Sequence, residues 1–160
     1  MTPTQRPAHA GDAPTLLPLM AELCAGDSGL ARVCVEAVLA AGPPGHEAWV
    51  LAGEAGLLGF IALSPSGAPH FHLGFVEWIA VAPAARRQGI GRQLLALGQT
   101  RALSLGWRQL HASTFHTNRP ALHMYIDAGF YPAATLPDYG GPGLHYVELL
   151  WPVARCKGDA

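Results

Sequence analysis

Glu77 to Arg92 reads EWIAVAPAARRQGIGR, and the reading of the whole chain turns on it. Up to Val81 the residues are those of an apolar strand, and Pro83 interrupts it. A basic segment with two glycines follows, and Ile90, Leu94, Leu97 and Leu105 are then spaced as the inner face of a helix over Gly89 to Leu105. A strand, a basic glycine turn and a helix start, in that order, suit the holding of phosphates. Glycine lets the backbone approach an anion closely, several N–H groups point outward, and the helix start adds partial positive charge. Arg86, Arg87 and Arg92 place full charges beside the turn.

Downstream, Gly106 stops the helix and Trp107 to Thr114 reads as a strand, so the unit is strand, helix, parallel strand with a right-handed crossover. Asn118 caps a last helix, with Pro120 in its first turn and Leu122, Tyr125 and Ile126 facing inward. Gly129 ends it. Phe130 to Leu136 and His145 to Trp151 are the final strands, joined through Asp138 to Gly143.

Upstream, Phe71 to Val81 is one long strand in which Gly74 suggests a bulge or bend. Ser64 to His70 is a loop. His46 to Ala52 and Leu57 to Leu63 form a hairpin about Gly53-Glu54-Ala55-Gly56. Two helical segments precede it. The first is capped by Asp12, with Leu16, Leu19, Met20 and Leu23 on its apolar side and Pro18 as an awkward interior residue that delays or kinks it. The second runs from Leu30 to Ala40 with Leu30, Val33, Cys34, Ala37 and Val38 on one face, and Gly42 to Gly45 end it. Thr4 to Ala8 carries a weak signal for an edge strand. The consistent fold is α/β, a mixed sheet with helices on both faces. A single domain over residues 1–153 and a frayed polar tail over 154–160 are expected.

Composition narrows the function. In 160 residues 50% are hydrophobic and 13% charged, which argues against disorder, and a net charge of −1 gives no general field for nucleic acid. Attraction for a phosphorylated ligand is therefore local. Cys24, Cys34 and Cys156 lack the spacing of a zinc site or a disulfide framework and read as buried or incidental thiols of a reducing compartment. No secretory leader and no membrane-spanning run is recognisable, so a soluble, cytoplasmic protein without a metal is expected.

VAPAARRQGIGR resembles the acyl-coenzyme A binding motif of the GNAT superfamily of N-acetyltransferases, through Arg86, Gly89 and Gly91, with Val81 and Pro83 at the strand exit. NRPALHMYIDAGF is similar to the second motif of that family, through Asn118, Ala121, Tyr125, Gly129 and Phe130. The resemblance implies the acyl-CoA N-acyltransferase fold, a mostly antiparallel sheet of six or seven strands flanked by about four helices. It implies acetyl-CoA as cofactor, with its pyrophosphate on the backbone of Arg87, Gln88, Gly89, Ile90, Gly91 and Arg92 and its pantetheine arm paired to Ile79, Ala80 and Val81. A contact from Asn118 to the coenzyme arm, a splayed sheet beside the arm and a homodimer are also implied.

The implied reaction is direct transfer of an acetyl group from the thioester to a primary amine, most simply of a small molecule. A protein or peptide acceptor, or a non-catalytic acyl-CoA binding module, are the alternatives. Such transfer needs a neutral amine, a polarised carbonyl and a proton donor for the departing thiolate. By the resemblance Tyr125 occupies the general-acid position, where a tyrosine can equally pack helix against sheet. Glu77, acidic within an apolar strand, fits a base acting directly or through water, a cation-recognising group or a structural partner. His111 and His116 are further relay candidates. An acceptor pocket is expected between the two N-terminal helices, the Glu77 strand and the last hairpin, with Trp49, Phe71, Phe75, Tyr139 and Trp151 as aromatic walls beside Glu77 and His111.

Overall fold

The computed structural model describes residues 3–40, 44–54, 56–67 and 69–153. The expected tail, the Gly42-Pro43 helix stop and Ala55 of the hairpin turn lie outside the described residues. In chain order the elements are β1 (Thr4–Pro7), α1 (Ala13–Leu23), α2 (Ser28–Leu39), β2 (Glu47–Gly53), β3 (Gly56–Pro65), β4 (Leu73–Val81), α3 (Ile90–Ser104), β5 (Gln109–Phe115), α4 (Arg119–Asp127), β6 (Tyr131–Leu136) and β7 (Tyr146–Pro152). The strand order is β1-β2-β3-β4-β5-β7-β6. The β4–β5 pair is parallel, as a helical crossover requires, whereas β1–β2, β2–β3, β5–β7 and β6–β7 are antiparallel. The expected mixed, mostly antiparallel seven-stranded sheet is therefore present, and the weak β1 signal was a real edge strand.

The chain divides into two compact units, Met1–Ser64 with Glu77–Leu94, and Pro65–Val76 with Leu95–Ala160. In the first, Leu16, Leu19 and Met20 of α1 meet Ala31 and Val35 of α2 over Val50 and Phe60, which face each other across β2 and β3. Pro18 neither delays nor ends α1. An interior proline costs about 3 kcal/mol, while burying each large apolar side chain returns roughly 1.5–3 kcal/mol, so packing prevails. Asp12 precedes α1 but caps it with no side-chain bond. Its carboxylate instead accepts from both terminal nitrogens of Arg6, at 2.8 and 2.6 Å, and from the His9 N–H at 2.9 Å. That guanidinium holds the Asp12 carboxyl below its usual range.

The expected face of α2 holds in part: Cys34 and Val38 pack against the core. Leu30 and Val33 are 50% and 61% exposed, and Ala31 and Val35 point inward. Asp27 explains the phase: it accepts from the Leu30 N–H at 2.9 Å and starts the helix at Ser28. Small Ala31 then lets α1 approach.

In the second unit β4 begins at Leu73, after a short 3-10 turn at Pro69–Phe71 and a left-handed His72 (φ 51°). Gly74 is no bulge. It pairs in register with Leu110, and a Cβ there would lie 1.8 Å from the Trp107 ring, so glycine admits the buried indole. Leu110, Ala112 and Leu149 are buried, and Gln99 Nε2 donates to Ala128 O at 2.7 Å, tying α3 to the end of α4. Tyr125 is the buried residue of α4, while Ile126, expected inward, is exposed.

Candidate active site

β4 ends as Ala82 N–H donates to Leu58 O at 2.8 Å, and Pro83–Ala85 makes one 3-10 turn with Ala85 buried. Arg87 (φ 63°) and Gly89 (φ 79°) both lie in the left-handed region. A non-glycine residue there is uncommon, and such alternation turns N–H groups toward one side. A Cβ at Gly89 would meet nothing within 4 Å, so its φ, not crowding, requires glycine, and the turn opens outward. Buried Ile90 anchors the start of α3, whose first N–H groups have no intrahelical acceptor. Gly59 of β3 serves this corner by steric need: a Cβ there would stand 2.6 Å from Ala80 O and 3.0 Å from Leu94.

Arg86 is already engaged. Its Nε donates to Val81 O at 3.1 Å, and its Nη2 donates to both carboxylate oxygens of Glu22 on α1, at 2.7 and 2.6 Å. It thereby braces the turn against α1. Glu22 is 64 residues away, and no local signal marks it.

Exposed Glu77 lines a cavity of about 480 Å³ with Ala37–Ala40 at the end of α2, His46–Trp49, Pro7, Ala8, Ala62 and Leu63. No lysine or arginine is among these lining residues. Trp49 Nε1 donates to Glu47 Oε2 at 2.9 Å, which orients a second carboxylate there. Glu47 is a lining group that sequence reasoning passed over, although its alternation with Trp49 at the hairpin start was visible. Of the expected aromatic walls, Trp49 lines this cavity. Phe71, Phe75, Tyr139 and Trp151 do not.

In the other unit, Asn118 Oδ1 accepts from the Ala121 N–H at 3.3 Å and caps α4, as expected. Tyr125 is 3% exposed and meets Phe130 edge-on at 5.3 Å. Burial pushes its phenol well above the ordinary value. The parallel ladder of β4 with β5 covers Leu73–Phe75 alone and ends where Phe75 faces His111, the two rings 5.0 Å apart. His111 Nε2 is the sole fully enclosed side-chain polar atom without a partner among the described residues. Desolvation lowers the His111 pKa, and the Glu148 carboxylate partly opposes this. His116 Nδ1 stands 3.2 Å from both the N–H and the carbonyl of His145, and His145 Nδ1 accepts from the Asp138 N–H at 3.0 Å. These two histidines hold the β6–β7 turn, so His116 has a structural position. Phe71 and Tyr139 are exposed, and Tyr139 packs on Tyr146 with centroids 5.0 Å apart. Among the described residues no group of three or more His, Cys, Asp or Glu side chains is arranged to hold a metal ion, and no helix is long and apolar enough to cross a membrane.

Comparison with known proteins bears on this geometry. The acetyltransferase (GNAT) family profile matches residues 27–130. A mycothiol acetyltransferase of Cellulomonas flavigena is 37% identical over 79 residues, which is 49% of this chain and 23% of that protein. The chain thus aligns with about a quarter of that relative's length. The structure superposes on yncA of Salmonella typhimurium, solved with its cofactor acetyl-CoA, with a TM-score of 0.79 at 18% identity, covering 100% of this chain and 99% of that one. It also superposes on the ribosomal-protein-S18-alanine N-acetyltransferase of Escherichia coli, with a TM-score of 0.74 at 16% identity, covering 99% and 98%. At such identities the likeness is one of fold.

Proposed function

We propose, for a chain that belongs to the acetyltransferase (GNAT) family, that it transfers an acetyl group from acetyl-CoA to the primary amine of a small cationic molecule. The observation that carries this reading is the turn itself. Left-handed Arg87 and Gly89 lead into the start of α3, whose first N–H groups have no intrahelical acceptor, and a Cβ at Gly89 would meet nothing within 4 Å. A pyrophosphate fits that arrangement without side-chain specificity. The residues that would hold the coenzyme are the backbone of Arg87 to Arg92 for the pyrophosphate and of Ile79 to Val81, past the end of the β4–β5 ladder, for the arm.

Glu77 takes the proton of the incoming ammonium, directly or through water, so that a neutral nitrogen attacks the thioester carbon. Bound acetyl-CoA would supply the thioester carbon to which the C–N bond forms and the sulfur that leaves with the negative charge. By the family resemblance, Tyr125 would be the proton donor to that sulfur. A phenol raised by burial stays protonated at every working pH, which makes it a dependable hydrogen-bond donor to the thiolate. The acceptor class follows from the cavity beside Glu77. Two carboxylates, an indole and, among the described lining residues, no lysine or arginine favour a cation.

Thiol release from acetyl-CoA against a panel of monoamines, diamines, free amino acids and a peptide with an N-terminal alanine tests the reading. Turnover of amines lacking a carboxylate, and best of diamines, is expected. Preference for the peptide would transfer the reading to a protein acceptor. Binding of acetyl-CoA without thiol release from any of them would leave a coenzyme-binding module.

A further inference from the structure

We propose that Cys24 and Cys34 form an intramolecular disulfide on exposure to peroxide, joining the end of α1 to the middle of α2. Cys24 caps α1, its N–H donating to Met20 O at 2.8 Å, and its side chain is buried in the cluster of Leu16, Met20, Ala31 and Val35. Cys34 stands three residues after Ala31 and four before Val38, on the stripe of α2 that faces inward, and packs half-buried against the same cluster. Cys34 thus packs against the cluster that contains Cys24, and both thiols are free. Bonded sulfurs stand about 2.05 Å apart, so closure demands that the two side chains turn toward each other within the shared cluster.

Exposure divides the roles. Cys34 is the thiol an oxidant reaches, and burial keeps the Cys24 thiol protonated above its ordinary pKa. Hydrogen peroxide gives one oxygen to the Cys34 sulfur: the O–O bond breaks, an S–O bond forms and water leaves. The Cys24 sulfur then releases its proton and attacks the Cys34 sulfur. An S–S bond forms, the S–O bond breaks, and the departing hydroxide takes that proton as a second water. Two thiols and one peroxide become one disulfide and two waters. Because Ala37–Ala40 of α2 line the cavity beside Glu77, the bond also fixes one wall of that cavity. This consequence, unlike the bond, rests on the acetyltransferase reading.

The test uses the full chain carrying Cys156→Ser, which removes the third thiol. The protein is treated with hydrogen peroxide, unfolded in iodoacetamide, digested with trypsin and analysed by mass without reduction. Arg32 lies between the two cysteines, so trypsin places them on separate peptides. The expected result is one linked pair, residues 1–32 with residues 33–86, that dithiothreitol resolves and that Cys24→Ser abolishes. Two alkylated cysteines after peroxide, or Cys34 carried on to sulfinic acid beside an alkylated Cys24, would overturn the proposal. Mass alone reads the bond, so its failure leaves the acetyl-transfer assay untouched. In the oxidised protein a changed acceptor KM with unchanged acetyl-CoA Kd supports the effect on the cavity wall, and an unchanged acceptor KM removes it.

Discussion

At the β4–α3 turn the groups offered to a ligand are backbone N–H groups, held outward by the positive φ of Arg87 and Gly89. At α4 the offered group is a single phenol, 3% exposed, whose chemistry is set by the apolar residues around it. Under the proposed function, side chains at the turn are largely interchangeable because conformation would do the binding, whereas at Tyr125 conformation is ordinary helix and one hydroxyl would carry the role. The coenzyme would then be recognised by shape and the reaction served by burial.

Tyr125→Phe probes the second half of that contrast most strongly. A loss of about 10²–10⁴-fold in kcat is expected for a positioned proton donor, with acetyl-CoA Kd and thermal unfolding near wild type. Full activity would reduce Tyr125 to packing against Phe130. Gly89→Val addresses the first half. A β-branched residue forced to φ 79° costs roughly 1–3 kcal/mol, so acetyl-CoA Kd should rise by about 5–100-fold, with kcat at saturation nearly kept. A collapse of kcat with Kd unchanged would erase the distinction between the two regions.

His111 sharpens the contrast through pH. Its folded pKa lies below the ordinary imidazole value because protonation would charge a desolvated ring. The stability it supports is complete above the unfolded pKa and drains as pH falls below that value and through the folded one. Wild type should then lose more Tm between about pH 7 and pH 5 than His111→Gln does, an interval inside the usual histidine window of about pH 5–8. Equal losses would contradict a buried neutral ring. Glu22→Gln should have the smallest effect. The Arg86–Glu22 pair is about half exposed, with side chains 45% and 53% accessible, and such pairs contribute about 0–1 kcal/mol. A rise in acetyl-CoA Kd of no more than about 5-fold is expected from a loosened turn. A larger one would assign Arg86 a direct role.

The turn was legible because its information is local: strand, proline, arginines and glycines within sixteen consecutive residues, Glu77 to Arg92. Element order was legible for the same reason, through Gly106, Asn118-Arg119-Pro120 and Gly129 as helix boundaries. What escaped depends on partners remote in sequence. Gly74 looked like a bulge because nothing nearby announces that the Trp107 ring needs its place. Asp12 looked like a helix cap because Arg6 across the turn was not seen as a competitor. Glu22 gave no sign of bracing Arg86. The inward face of α2 was misjudged because bulk suggested Leu30 and Val33, while close helix packing selected Ala31. Of the expected aromatic walls, Trp49 alone lines the cavity beside Glu77, because pocket membership is a property of the fold and not of residue type.

Calorimetric titration with acetyl-CoA of the wild-type protein and the Gly89→Val variant side by side, with dephospho-coenzyme A and ATP as controls, tests the central claim most directly. Saturable binding of acetyl-CoA to the wild type, clearly weakened in the variant while both proteins stay folded, is the expected result. No binding to folded wild type, or equal binding by both proteins, would contradict the assignment of the coenzyme to this turn, and the roles given to Glu77 and Tyr125 would fall with it.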